Sequence, residues 1–377
     1  MNLPELPQNW QLIVFISFCT IAAIQVFFYL FFFSRVAFHR SKPRQVSQTH
    51  PVSVIVCARD EAANLAKNLP GILVQQYPTT HEVIVVNDNS YDESKYVLEE
   101  LQRQFRILHI VELTQEAKMI PGKKFPLSVG IKTAKHEIML MTDADCVPAS
   151  ENWIYSMQNA YDEQTEIVLG YGAYHKKKGL LNKLVRWETF HSAIQYMGYA
   201  AAKMPYMGVG RNLSYKKAVF LRQKGFSAHN HIPGGDDDLF INKAANSRNT
   251  RINLDPESFT LSEPVTTFKK WKAQKQRHYT TSRHYRKIHQ FLLALYAFSH
   301  FAFYPLLVSA IIFYSWKLAL IIFGGRLILQ ALIFGRSLKK LGEKDLIPLI
   351  LLMDIWMFFY YMIFAPGLFK KPARNWK

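Results

Sequence analysis

Apolar positions follow two regimes along this chain. Near the ends they run almost unbroken, over Leu12 to Phe33, Phe291 to Trp316, Leu318 to Phe334 and Leu346 to Phe369. Runs of this length suit helices crossing a hydrocarbon layer of roughly 30 Å. The first carries no charged residue, lacks a small-residue cleavage site and is too long for a signal-peptide core, so it is expected as a retained anchor. In the middle, short β-branched runs alternate with amphipathic stretches. Val52 to Cys57 and Val83 to Val86 predict buried strands, and Ile107 to Leu113 and Ile138 to Met141 predict two more. Glu61 to Gln76 and Asp92 to Phe105 have helical spacing, with Ser90 expected to cap the second helix ahead of Asp92 and Glu93.

Strand alternating with helix predicts an α/β fold, a mainly parallel sheet covered on both faces, with transmembrane helices at both ends. Ligands of such sheets bind beyond the carboxyl ends of the strands. Arg59-Asp60-Glu61, Asn87-Asp88-Asn89 and Asp143-Ala144-Asp145 all fall there. One acid after a strand is ordinarily a turn former or a cap; three clusters on one rim point to a site. Alternate residues of an extended backbone project to the same side, so Asp143 and Asp145 are placed to share a divalent cation. No Gly-x-Gly-x-x-Gly and no Gly-x-x-x-x-Gly-Lys-Ser/Thr occurs, which argues against a Rossmann dinucleotide site and a P-loop.

Charge sharpens this picture. The net charge is +18, yet its distribution favours membrane lipids over nucleic acid as partner. Eight Lys or Arg and no acid lie between Pro264 and Gln290, directly before a hydrophobic run, and such a cluster is drawn to anionic headgroups by on the order of 1 kcal/mol per residue. Arg35, Arg40, Lys42 and Arg44 follow the first span while no Lys or Arg precedes it, placing the central domain in the cytoplasm of a multi-pass protein of the cell membrane. If all four segments cross, the basic tail Lys370, Lys371, Arg374, Lys377 lands outside, against the same rule, unless one segment is re-entrant or lies flat. Arg326 and Asp354 interrupt the last two runs, each about nine residues, or roughly 13 Å, from the intervening loop, a depth that permits a pair. Cys19, Cys57 and Cys146 are too scattered for a metal knuckle or a disulfide framework and read as small buried hydrophobes in a reduced compartment. The expected organisation is an anchor with basic flank (1–45), a catalytic domain (46–262), a basic interfacial segment (263–290) and a C-terminal membrane region (291–377).

From Pro51 to Tyr279 the sequence resembles the inverting family-two glycosyltransferases of the GT-A fold, the group that includes membrane-bound cellulose, hyaluronan and poly-N-acetylglucosamine synthases. The residues that carry the resemblance are Val52 to Leu65, Val86-Asn87-Asp88-Asn89-Ser90-Tyr91-Asp92, Gly122-Lys123, Asp143-Ala144-Asp145, Gly210-Arg211-Asn212-Leu213-Ser214-Tyr215, Gly235-Asp236-Asp237-Asp238-Leu239 and Gln274-x-x-Arg277. It implies a nucleotide-sugar donor, a UDP-sugar first, and a lipid-linked or glycan acceptor. Glu61 and Asp88 would hold the nucleoside side of the donor, Asp143 and Asp145 would bind Mg²⁺ or Mn²⁺ against the diphosphate, and Arg59, Lys123, Gln274 and Arg277 would add donor contacts. Asp236 aligns with the family's catalytic base, with Asp237 as rival. Asn87 replaces the usual first acid of its segment, and His278 stands where a Trp follows the Arg. Two other readings stay open: a metal-dependent nucleotidyl or phosphoryl transferase, and a nucleotide-binding scaffold or transporter subunit without catalysis. Trp187, Tyr196, Tyr199 and Tyr206 are candidates either for an acceptor channel or for core.

Overall fold

The computed structural model describes residues 9–40, 50–114, 122–364 and 366–367. The chain forms two compact units, one of residues 39–286 with 367–377, the other of residues 1–38 with 287–366.

The first unit is built on a seven-stranded sheet. Its strands are β1 (Val52–Ala58), β2 (His81–Asp88), β3 (Leu108–Leu113), β4 (Ile138–Asp143), β6 (Ile167–Leu169), β8 (Leu213–Lys216) and β9 (Thr250–Ile252). Their order is β3-β2-β1-β4-β8-β6-β9. The first four are parallel, and β8 runs antiparallel to both β4 and β6. A smaller sheet pairs β5 (Cys146–Pro148), β10 (Thr260–Ser262) and β7 (Gly172–Tyr174). Every residue of β1 is buried because both faces are covered, as a near-continuous apolar strand requires. One face carries Val54, Val56, Val83 and Val85 against Leu65, Leu69 and Trp153, each aliphatic side chain contributing about 1.5–3 kcal/mol by burial.

The other face takes the Lys124–Thr133 helix at close range. A Cβ placed on Gly130 would lie 2.8 Å from Ile55 Cγ2 and 3.0 Å from Val86 Cγ2, so the helix seats where only glycine fits. Gly130→Ala is expected to lower the stability of the full-length protein by roughly 1–2 kcal/mol, the overlap outweighing alanine's better helix propensity. Thermal unfolding checks this, and an unchanged midpoint would show that the helix can shift outward without loss.

The second unit is helical. Among the described residues, three runs are long and apolar enough to cross a membrane: Trp10–Ala37, Lys287–Lys340 and Lys344–Phe364. The middle run breaks at Ser315, whose backbone is extended (φ −155°, ψ 112°) and whose Oγ accepts from Leu318 N. Phe303 and Phe323 ring centroids then lie 6.2 Å apart, whereas one straight helix would separate them by roughly 30 Å. The run is therefore two arms folded back on each other, giving the four apolar segments read from the sequence. Arg326 and Asp354 do meet, with Arg326 Nη2 3.0 Å from Asp354 Oδ1. Gln330 Nε2 and the Tyr304 hydroxyl donate to the same carboxylate at 2.8 and 2.7 Å. The guanidinium also donates to Gln25 Oε1 at 2.7 Å and to the Tyr29 hydroxyl at 2.6 Å. All four arms contribute to this ring. Lys370, Lys371, Arg374 and Lys377 lie outside the described residues.

Candidate active site

Parallel register sets up the rim. Ala58 pairs with Asn87 and Cys57 with Asp143, so β1, β2 and β4 end level and release their loops together. The chain fills positions β1, β2, β3 to one side, then returns to the other side of β1 for β4; ligands of open α/β sheets bind at such a reversal. Asp60 (φ 52°) and Asn89 (φ 51°) turn left-handed at the two strand ends, a conformation Asp and Asn tolerate. The turns then lock together. Asp60 N donates to Ser90 Oγ (2.9 Å), Tyr91 N to Asp60 Oδ1 (2.8 Å) and Ala62 N to Asp92 Oδ2 (2.9 Å). Ser90 is therefore not the helix cap expected of it. Its hydroxyl is spent on Asn87 and Asp60, while Asp92 accepts from Ser94 N and Ala62 N, at the starts of two helices.

At the end of β4, Asp143, Asp145 and Cys146 bring ligand atoms within 4.8 Å of one another. Lys123 forms an ion pair with Asp143. Burial alone would lower the Lys123 pKa, but the carboxylates of Asp143 and Asp236 help to more than reverse it, so the ammonium stays charged. Partial burial and the like charge of Asp143 push Asp145 up, with Arg211 opposing. Burial pushes the Cys57 thiol up to about 12 and raises Cys146 well above its usual value. Both thiols are therefore protonated at neutral pH and poor nucleophiles or ligands. The two carboxylates form the hard-oxygen part of the cluster and fit a hard divalent cation, whereas the Cys146 thiol does not.

The three consecutive aspartates separate by what they touch. Asp237 caps the Asp238–Ala244 helix, accepting from Asp238 N at 2.7 Å, and also accepts from Gly210 N at 2.7 Å. Asp238 is buried and takes hydrogen bonds from Thr281 and, at 2.7 Å, from Tyr285. The half-buried Asp236 makes no hydrogen bond among the described residues, yet its charge acts on Lys123 and Lys124. Gly234 and Gly235 approach it with φ +83° and +84°, and a Cβ on Gly235 would lie 2.5 Å from Leu239 Cδ1. Glycine is thus demanded twice at Gly235, by backbone and by space. Lys124 is fully buried and fastens this loop by donating to His229 O (2.5 Å) and Ile232 O (2.7 Å). Burial lowers its pKa to about 8, against the pull of Asp236 and Asp238.

Of the other expected site residues, Asp88 ends β2 and is buried, and Glu61 accepts from Asn64 Nδ2 at 2.5 Å. Arg59 is half-buried just beyond β1. Gln274 Nε2 donates to the Tyr174 hydroxyl at 3.3 Å, and the Arg211 guanidinium stacks 4.4 Å from the Tyr174 ring centroid. Gln274 thereby reaches the rim, while Arg277 and His278 are exposed. Arg211 belongs here too: its segment, Gly210 to Tyr215, is one of those that carry the resemblance, but no role was expected of Arg211 itself. Trp187, Tyr196, Tyr199 and Tyr206 are buried core, with the Tyr196 hydroxyl donating to Gly170 O at 2.8 Å, so they do not form an acceptor channel.

Known proteins share both the sequence pattern and the fold. Residues 53–222, most of the central domain, match Glycosyl transferase family 2. A mannosyltransferase from Pyrobaculum calidifontis, PcManGT, solved in complex with GDP-Man and Mn²⁺, superposes with a TM-score of 0.56 at 17% identity, covering 92% of this chain and 99% of that one. The fold is thus GT-A-like. The Bacillus subtilis protein named "Probable glycosyltransferase YdaM" is 23% identical over 255 residues, 64% of this chain and 58% of its own length. Beta-monoglucosyldiacylglycerol synthase of Trichormus variabilis is 29% identical over 144 residues, 38% of this chain and 30% of that protein. Poly-beta-1,6-N-acetyl-D-glucosamine synthase of Staphylococcus epidermidis is 23% identical over 159 residues, 41% and 37% of the two chains. These matches span little more than half of the curated relatives' length at most.

Proposed function

We propose that the chain is a membrane-bound inverting glycosyltransferase that moves a sugar from a nucleotide-sugar donor to a lipid-linked or polysaccharide acceptor. The observation that carries this reading is the division of labour among the aspartates: Asp237 and Asp238 are spent on the fold, Asp236 is not, and it shares a cluster of charge with Lys123 and Asp143. Asp143 and Asp145 would hold Mg²⁺ or Mn²⁺, which when bound supplies charge neutralisation for the departing diphosphate. Lys123 adds a fixed positive charge beside them. Asp236 accepts the acceptor hydroxyl's proton as that oxygen attacks the anomeric carbon and the carbon–oxygen bond to the diphosphate breaks. A diphosphate leaves without protonation, so no second acid is needed, and a single displacement inverts the anomeric centre. Arg59, Glu61 and Asp88 surround the nucleoside end, with Gln274 and Arg277 on the diphosphate side. The basic Lys269 to Lys287 stretch contacts membrane lipid headgroups, and the catalytic domain is cytoplasmic, where nucleotide sugars are available.

The test is release of nucleoside diphosphate from UDP- and GDP-sugars by the detergent-solubilised full chain with Mn²⁺. Asp143→Ala and Asp145→Ala are each expected to abolish turnover and weaken nucleotide binding. Full turnover in EDTA would overturn the metal assignment, and release of pyrophosphate or transfer of phosphate would replace the reading with nucleotidyl or phosphoryl transfer. A sugar recovered in the organic phase identifies a lipid acceptor, and a polymer in the aqueous phase a glycan.

A further inference from the structure

Arg211 is held more tightly than a balancing charge needs to be. Its backbone carbonyl accepts from Thr142 Oγ1 at 2.8 Å and from Thr260 Oγ1 at 3.0 Å. Thr142 directly precedes Asp143, so the same strand end positions the Arg and the carboxylate. The next residue, Asn212, is fully buried and uses its amide on Tyr171 O (2.9 Å), Ser258 O (2.7 Å) and the Trp153 indole (3.2 Å), leaving the main chain little freedom to turn. The side chain then passes over Gly172, where an added Cβ would lie 3.1 Å from Arg211 Cβ and 3.4 Å from Nε. It lies on the face of Tyr174 at 4.4 Å and donates through Nη1 to Ser262 Oγ at 2.8 Å. Tyr174 is in turn fixed by Gln274. Among the described residues, one of the five N–H donors of the guanidinium is spent, on Ser262.

We propose that Arg211 is the fixed cation that binds the diphosphate of the donor, with its unspent N–H groups directed at phosphate oxygens beside Asp143 and Asp145. Its field already reaches both carboxylates. A planar fork held against an aromatic face and one hydroxyl suits bidentate phosphate recognition, which a mobile Lys would not reproduce. The assignment rests on the nucleotide-sugar reading above and names a contact that this reading leaves open.

Affinities of the solubilised full chain for UDP, UMP, GDP and GMP in Mn²⁺ separate the possibilities. Wild type is expected to bind one diphosphate more tightly than its monophosphate. Arg211→Gln should lower diphosphate affinity by roughly 10–100-fold, the range of one or two charge-assisted hydrogen bonds, while changing monophosphate affinity less than about 3-fold. Arg211→Lys should recover only part of the loss. Tyr174→Leu, which keeps the charge but removes its platform, should show the same selective loss at smaller size, and it carries the test if Arg211→Gln does not fold. Equal losses for mono- and diphosphate, or a loss erased by raising Mn²⁺, would overturn the assignment and leave Arg211 as a counter-charge to Asp145. Wild type that binds no nucleotide at all would instead overturn the reading of the site, and the assignment with it.

Discussion

Asp236→Asn is expected to leave donor binding near normal and to lower sugar transfer by several orders of magnitude. The substitution keeps the side chain's shape, disturbs no hydrogen bond to the protein among the described residues, and removes only the capacity to take a proton. Asp237→Asn is a different experiment. An amide in place of that carboxylate turns one acceptor into a donor facing either Gly210 N or Asp238 N, so the expected cost is about 1–2 kcal/mol of stability at a helix cap, with a much smaller effect on rate. Donor affinity, transfer rate and thermal midpoint measured on both variants separate the roles. An Asp236→Asn enzyme retaining more than about a tenth of its rate has lost less than roughly 1.4 kcal/mol of barrier. That would remove Asp236 as the base and return Asp237 to candidacy.

Asp354→Ala is expected to be the most damaging single change in the membrane segments. It strands the Arg326 guanidinium, 2% exposed, without its counter-ion, and breaking a buried pair from one side costs about 3–5 kcal/mol. Adding Arg326→Leu removes the orphaned charge and should restore part of the yield and thermal stability. Restoration stays partial because Gln330, Tyr304, Gln25 and Tyr29 each lose a partner in the double variant. Additive damage in the double-mutant cycle would show that the two residues are energetically independent despite their contact.

The parallel half of the sheet was legible because β1 to β4 are mainly apolar runs of six to eight residues, long enough for pattern to speak. The strands β5, β6, β7, β9 and β10 have three residues each, and three residues carry no period. The antiparallel half was therefore invisible. The carboxylates of the rim were legible because acids after buried strands are conspicuous. The segment of Arg211 was legible but the role of its side chain was not, since that depends on Tyr174, Ser262 and Thr260, all far away in sequence. Ser90 misled because the usual cap spacing does not reveal a competing loop, and here Asp60 and Asn87 claimed the hydroxyl first. The aromatics of the Leu180–Ala201 helix were ambiguous by nature: a buried Tyr looks the same in sequence whether it faces a ligand or the core.

The polar ring of the helical unit also has an order of arrival. Gln25 and Tyr29 are synthesised first, Tyr304 next, then Arg326 with Gln330, and Asp354 last. During translation the guanidinium therefore meets neutral partners before its counter-ion exists, and the nascent bundle carries an uncompensated positive charge until the final arm is made. A ribosome stalled between Gln330 and Asp354 would present a chain whose earlier arms hold every group of the ring except the anion. Completion of the bundle is thus coupled to completion of the polypeptide, and a chain cut short before Asp354 would advertise its own incompleteness as an unpaired charge in the bilayer.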